Sequence, residues 1–184
     1  TYDIAARPVT NEQYRIFLDA TGYEKVPDFM DNPDYTLPDQ PVVGVTREDM
    51  IAFTTWLSGI METTVRLPTE AEWEKAAKAG GNVAFPWGND GPAEGIRANY
   101  RGNGKFNRPS PVGSFPEGAN AWQLDDMAGN VWELVEPLPE QAQMAKGGSW
   151  MEGPNDLRIS NRREIDPART YADVGFRVVM EVKK

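Results

Sequence analysis

Hydrophobic residues recur at helical spacing in three stretches of the first 80 residues. The spacing predicts helices that begin at Thr10, Thr46 and Thr69. Each of these threonines stands three residues before a Gln, Asp or Glu, which is the spacing of a capping box at a helix N-terminus. Gly22 and the Gly80-Gly81 pair end the first and third helices. Three short amphipathic helices are therefore predicted.

The stretch over residues 82–120 shows neither helical nor strand periodicity and is rich in Gly, Pro and Asn. A loop of this length needs packing to hold it in a compact domain, and aromatic side chains supply the largest buried area. The aromatics that we expect to pin these loops are Trp87, Tyr100, Phe106, Phe115, Trp122 and Trp132. Trp73, on the third helix, is predicted to be largely buried together with Trp87 and Trp132.

Short strands are predicted over residues 143–146, 157–160 and 176–182. The apolar positions that alternate along the last stretch are Phe176, Val178, Met180 and Val182. No internal repeat is visible. We therefore interpret residues 1–184 as a single α+β domain, with short helices packed on small antiparallel sheets.

The composition narrows the possible functions. The 184 residues include no Cys and no His, and 28 acidic against 19 basic side chains give a net charge of −9. Without thiols and imidazoles, disulfides, thiol nucleophiles, Ser-His-Asp relays and Cys/His zinc sites are excluded. The basic residues form no cluster, so we expect no nucleic-acid partner. No run of about 18 apolar residues is present, so we expect no membrane insertion.

Six segments, taken in chain order, resemble the signatures of the formylglycine-generating-enzyme or sulfatase-modifying-factor family. They are residues 8–14 (PVTNEQY), 66–74 (RLPTEAEWE), 85–88 (FPWG), 126–133 (DMAGNVWE), 147–150 (GGSW) and 174–178 (VGFRV). The resemblance implies a loop-rich variant of the C-type lectin fold. Family members usually open with further strands before the first helix, and we expect those strands to be missing here.

The resemblance also identifies positions for catalytic chemistry. Formylglycine-generating members hold copper with two thiolates just after the Gly-Gly-Ser-aromatic turn, and the resemblance puts the first position on Glu152 and the second on or near Leu157. Cu(I) requires soft sulfur ligands, so we expect no copper and no formylglycine synthesis. The related iron-dependent sulfoxide synthases use histidine ligands, so the absence of His excludes that activity as well.

Two interpretations of Glu152 stay open. One is a general acid or base, as implied by resemblance to Cys-less members that mature a siderophore chromophore in the periplasm. The other is a solvated loop carboxylate, or one paired with Arg162 or Arg163. The same resemblance favours an extracytoplasmic location, periplasmic or secreted.

Two calcium sites are implied by the resemblance. The first uses the side chains of Asp126 and Glu133 with the carbonyls of Gly129 and Val131, a set of hard oxygens that suits Ca²⁺. The alternative is that Asp126 caps a turn and Glu133 pairs with an arginine. The second site uses Asn99 and the carbonyl of Tyr100, in a loop that is shortened here.

Residues 150–173 line the ligand face in folds of this type and are dense in aromatic and polar side chains. The candidate binding residues are Trp150, Met151, Asn155, Arg162, Arg163 and Tyr171. Part of the stretch has an alternative, purely structural explanation, in which Arg158, Asn161 and Arg163 tie loops together.

The leading hypothesis is a non-catalytic, calcium-stabilised binding or accessory domain. Its partner is a protein or small-molecule ligand on the C-terminal face, as in regulators of a kinase or a secretion system, or in the variable proteins of diversity-generating retroelements. The alternative is a Cys-independent enzyme of the siderophore-maturation type that uses Glu152.

Overall fold

The computed structural model describes residues 1–182 and confirms the three predicted helices. They are α1 (Asn11–Thr21), α2 (Arg47–Met61) and α3 (Glu70–Lys78). Thr10, Thr46 and Thr69 are their N-cap residues, and each completes a capping box with the residue three positions later. These helix starts are fixed by local hydrogen bonds, which explains why the sequence located them to within a residue.

Within residues 1–182, seven short strands form two sheets. The strands are β1 (Tyr2–Ile4), β2 (Val65–Arg66), β3 (Trp132–Leu134), β4 (Met144–Lys146), β5 (Arg162–Glu164), β6 (Val174–Gly175) and β7 (Val179–Glu181). The first sheet is antiparallel, in the order β1-β7-β2. The second has the order β5-β4-β3-β6, and its β3–β6 pair is parallel. The fold is therefore α+β with small sheets, as predicted, although one strand pair is parallel.

The strand predictions are only partly confirmed. The predicted strand over residues 143–146 corresponds to β4, but residues 157–160 form the end of a 3₁₀ turn (Pro154–Leu157), a bend and a turn. The strand nearest to that segment is β5, and β1 precedes the first helix, where we expected no strand.

The predicted alternation of buried and exposed residues over 176–182 is correct at Phe176 but is shifted by one residue in the second half of the stretch. Val179 is fully buried and Val182 is 42% exposed. The carbonyls of Phe176 and Val178 accept hydrogen bonds from the backbone of Val9 and Ala5. The chain therefore leaves β6, follows the N-terminal segment and enters β7 with its inward positions shifted.

Aromatic packing holds the core but does not include every predicted ring. Trp73 and Trp132 are buried, as expected. Trp87 is only half-buried and stacks on Phe85 with ring centroids 5.3 Å apart. Trp122 is 50% exposed, so its predicted burial is wrong. The main cluster instead lies between α1, α2 and the last strands, where Tyr14, Phe17, Phe53 and Phe176 pack together.

A buried ion pair joins the segment between β6 and β7 to β3. The Arg177 and Glu133 side chains are both fully buried, with Nε–Oε2 and Nη2–Oε1 distances of 2.6 Å. Arg177 also donates to the carbonyls of Ala5, Ala6 and Asp125. All five guanidinium N–H groups of Arg177 therefore have acceptors. The Glu133 carboxylate has a further donor, because Trp73 Nε1 donates to its Oε2 atom.

A second, partly exposed ion pair stabilises the start of α3. Arg66 donates to both oxygens of Glu72 at 2.7 and 2.8 Å, and Glu72 also accepts from the backbone of Thr69. The bond from Arg66 is the main reason why the pKa of Glu72 falls to about 2. Because the folded-state pKa is depressed, this contribution to stability is present above pH 4.5 and is lost as the pH falls towards 2.

Replacing Arg177 is expected to unfold much of the domain. Arg177→Met leaves the Glu133 carboxylate buried without a counter-charge, so the free energy of unfolding should fall by about 3–5 kcal/mol. Arg66→Met is the matched control and should cost about 1 kcal/mol or less, because its ion pair is partly exposed. Urea unfolding of both variants measures the difference, and equal losses would contradict the central role of Arg177.

Glu72→Gln is expected to lower stability at pH 7 by about 0.5–1 kcal/mol, because the amide keeps the cap but loses the charge that pairs with Arg66. The difference from wild type should shrink as the pH falls from 4.5 towards 2. Thermal melting across this range tests the prediction, with the exposed Glu117→Gln as the control. A difference that does not depend on pH would show that the ion pair is not the cause.

Candidate functional site

The turn after β4 brings the candidate binding residues to the surface. Gly147 and Gly148 both have positive φ, at 96° and 76°. A Cβ on Gly148 would lie 2.8 Å from Leu157 Cδ2, so the close approach of these two segments requires glycine. The turn presents Trp150, Met151 and Glu152 beyond it.

A chain of polar contacts connects this turn to β5 and β6. The buried carboxylate of Asp173 accepts from Ser149 Oγ at 3.0 Å and from Arg163 Nη1 at 2.9 Å. Arg163 also lies 3.9 Å from Glu152 Oε1. The indole of Trp132 donates to the same Glu152 oxygen at 3.4 Å. Glu152 therefore belongs to a network that extends below the surface.

Aromatic rings frame this network. The guanidinium groups of Arg163 and Arg169 lie 5.3 and 5.7 Å from the centroid of the Tyr171 ring. Trp150 Nε1 donates to Ala172 O at 3.3 Å, which holds the indole ring in place. The surface formed by Trp150, Met151, Glu152, Arg163 and Tyr171 is called the C-terminal face below.

Two predicted binding residues lie apart from this network. Arg162 precedes Arg163 on β5, so its side chain points to the opposite face of the strand, where it lies 3.6 Å from Glu70. Asn155 is exposed on the following 3₁₀ turn, and its carbonyl accepts from Asn161. Of the two arginines considered as partners of Glu152, Arg163 lies near it, with an Nη1–Oε1 distance of 3.9 Å.

Ser149, Asp173 and Trp132 were not among the candidate site residues, although they connect the others. Ser149 lies within the Gly-Gly-Ser-Trp segment that carries the family resemblance, and Asp173 directly precedes the last such segment. Their partners lie 24 and 10 residues away, so no local spacing predicts the contacts.

Glu152 and Leu157, where the family resemblance implies the copper-binding thiolates, have different environments. The Glu152 side chain is 30% exposed at the C-terminal face. Leu157 is fully buried and packs with Phe85 and Tyr100. The positions therefore do not form a pair of accessible polar groups.

The residues of the first predicted calcium site lie close together but are already partly engaged. Asp126 Oδ2 accepts from the backbone of Gly113 at 2.8 Å, and burial raises the pKa of Asp126 to about 6. Glu133 pairs with Arg177, which matches the alternative considered for this residue. Gly129 is required here, because a Cβ would lie 2.4 Å from Asn99 O. Within residues 1–182, no group of three or more acidic side chains is arranged to hold a metal.

The oxygens of the second predicted calcium site are hydrogen-bonded to the protein. Asn99 Oδ1 accepts from Asn103 Nδ2 at 2.6 Å, and Tyr100 O accepts from the backbone of Asn103 at 3.0 Å. Both predicted ligands therefore face N–H groups of the same residue.

An apolar groove of about 560 Å³ lies outside the C-terminal face. It runs between the N-terminal segment and α2, and Val9, Trp56 and Leu57 are among its lining residues. It shares no residue with the C-terminal face. None of the helices within residues 1–182 is long and apolar enough to cross a membrane.

Comparison with known proteins identifies relatives of the whole described chain. Hercynine oxygenase from Mycolicibacterium smegmatis is 32% identical, and the alignment covers 99% of this chain and 53% of that protein. The chain thus spans about half the length of this curated relative. The solved structure of PvdO from Pseudomonas aeruginosa is 30% identical, with a TM-score of 0.86 over 98% of this chain and 80% of that one.

A more distant structure shows the fold alone. Variable protein 1 of Treponema denticola is 22% identical, with a TM-score of 0.79 over 97% of this chain and 84% of that one. Residues 1–182 match the family described as the sulfatase-modifying factor enzyme 1-like domain. The chain therefore belongs to this formylglycine-generating-enzyme-like family and has its loop-rich, C-type-lectin-like α+β fold.

Proposed function

We propose that this domain is a non-catalytic, calcium-stabilised binding or accessory domain whose protein or small-molecule partner docks on the C-terminal face. The observation that carries the proposal is the burial of Leu157. Of the two positions that would hold the copper thiolates, one is a carboxylate and the other is sealed in the core. A reaction that requires two cooperating polar side chains at these positions would find only the carboxylate of Glu152.

The construction of the C-terminal face supports recognition. Trp150 and Tyr171 are rigid aromatic side chains, fixed by the Ala172 carbonyl and by two guanidinium groups. Met151 is 44% exposed beside them and adds adaptable apolar area. A surface that is ordered before binding loses little conformational entropy when a partner docks.

A Cys-independent enzyme that uses Glu152 is the second candidate. Trp132 and Arg163 hold the Glu152 carboxylate at the rim of the C-terminal face, with distances of 3.4 and 3.9 Å to its Oε1 atom. A general acid or base needs this kind of fixed position next to its substrate. The absence of His and Cys leaves Glu152 as the acid–base group in this proposal.

Capture experiments distinguish these functions. The immobilised protein is exposed to a lysate of its host, and the bound partner is quantified for wild type, Trp150→Ala and Arg163→Ala. Trp150→Ala should weaken capture at least tenfold, because Trp and Arg anchors commonly contribute most of the binding energy. Trp122→Ala removes an exposed indole outside the C-terminal face and is the matched control.

Glu152→Gln separates binding from catalysis. For a binding domain, this change should alter capture only modestly. An enzyme would still bind its substrate but would lose about 10²–10⁴ in turnover, because a proton-transfer group is missing. Capture that is unaffected by all C-terminal-face variants would contradict the proposed docking surface.

We also propose that calcium binds the loop over residues 126–133. Asp126 is half-buried, and its Oδ2 accepts one backbone hydrogen bond, from Gly113, among residues 1–182. An ionised carboxylate with so few partners favours a nearby cation. The carbonyls of Gly129 and Val131 and the Glu133 carboxylate would complete an oxygen set for Ca²⁺. The Glu133 carboxylate is already paired with Arg177, whereas the Asp126 carboxylate has no direct ion pair among residues 1–182. Asp126 would therefore supply most of the negative charge that attracts the calcium ion.

Calcium is expected to raise the melting temperature of the wild-type protein. An ion that binds only the folded state raises the free energy of unfolding by about 2.7 kcal/mol when its concentration is a hundred times Kd. Asp126→Asn should abolish the difference between calcium and chelator, and the exposed Asp90→Asn should retain it. The raised pKa means that ionised Asp126 opposes folding as the pH rises from about 4 to about 6. Calcium needs the ionised form, so its effect should disappear below about pH 6. Equal chelator sensitivity in wild type and Asp126→Asn would contradict this site.

A further inference from the structure

We propose that Asn103 holds the loop over residues 99–106 without a metal ion and thereby fixes the backbone of the C-terminal face. The family resemblance implies calcium ligands at Asn99 Oδ1 and Tyr100 O. In the structure, Asn103 donates to both oxygens, from Nδ2 at 2.6 Å and from its backbone N at 3.0 Å. A cation cannot approach an oxygen from the side where an N–H group already points at it.

The orientation of the two amides follows from backbone groups. Asn103 Oδ1 accepts from the backbone of Lys105 at 2.7 Å and of Phe106 at 3.1 Å, so the oxygen must face these N–H groups. Asn99 Nδ2 donates to Arg108 O at 2.8 Å. The remaining ends of the two side chains, Asn103 Nδ2 and Asn99 Oδ1, therefore face each other as donor and acceptor.

Burial and backbone geometry show that this arrangement is built into the loop. Asn99 and Asn103 are both essentially inaccessible to solvent. Gly102 and Gly104 flank Asn103 with φ values of 90° and 80°, which allow the chain to turn on both sides of it. A buried side-chain amide stabilises a loop when both its N–H and its carbonyl oxygen are hydrogen-bonded. A buried amide without these partners would destabilise the loop.

The loop supports the C-terminal face through backbone hydrogen bonds. Arg101 N donates to Glu152 O at 2.8 Å, which ties the loop to the backbone of the residue whose carboxylate belongs to the C-terminal face. Asn99 O accepts from Asn130 N at 2.8 Å, and Asn130 O accepts from Trp150 N at 3.0 Å. Asn103 is therefore a positioning residue for Trp150 and Glu152. This assignment does not depend on whether the C-terminal face binds a partner or catalyses a reaction.

Hydrogen exchange resolved by peptide tests the proposal on the full chain, without a partner. Wild type is measured in calcium and in chelator, and again in the Asp126→Asn background, which removes the other proposed calcium site. Exchange of residues 99–106 should be the same in calcium and chelator in the Asp126→Asn protein. Faster exchange in chelator in that background would show that a cation holds the loop, and would overturn the proposal.

Two variants test the amide itself. Asn103→Asp is nearly isosteric and keeps the acceptor for Lys105 and Phe106, but it places an oxygen opposite Asn99 Oδ1. In chelator it should speed exchange at residues 99–106 and 150–153 about tenfold or more. Asn120→Ala is the matched control, because Asn120 is a buried amide that holds a different loop through Trp122 and Leu124. Unchanged protection in Asn103→Asp, or equal loss at residues 99–106 in Asn120→Ala, would overturn the proposal.

Discussion

The five hydrogen bonds of the buried Arg177 guanidinium are the interaction on which the rest of the structure depends. They bring together β3 through Glu133, the loop before it through Asp125, and the N-terminal segment through Ala5 and Ala6. A buried charge tolerates no loss of partners, so all of these segments must be in place together. This domain has little regular structure, so the hydrogen bonds of Arg177 fix the relative positions of segments that long paired strands would fix in other domains.

The parts of the fold that depend on local chemistry could be predicted from the sequence. Thr10, Thr46 and Thr69 mark their helices because capping boxes involve residues only three positions apart. Strands of two or three residues carry too few side chains to show a period, which is why β3 and β5 were missed. Trp122 was misplaced for a related reason, since nothing in the sequence distinguishes an exposed indole from one that fills the core.

The sequence predicts several of the residues at the candidate site but not which of them lie next to one another. Trp150, Glu152, Arg163 and Tyr171 lie near one another, because the turn after β4, strand β5 and the segment before β6 present them side by side. Arg162 does not join them, because neighbouring strand residues point to opposite faces and the sequence pattern does not predict β5. The competition of Arg177 for Glu133 also required the fold, because 44 residues separate the pair.

The pairing of β1 with β7 has a consequence for how the domain folds. Tyr2 lies opposite Glu181, and β2 pairs with the other edge of the same strand. Contacts between residues so far apart in sequence close large loops, which slows folding relative to domains built from local contacts. On the ribosome, the first sheet cannot form until nearly the whole domain has been synthesised, and until then the backbone N–H and C=O groups of β1 have no strand to pair with.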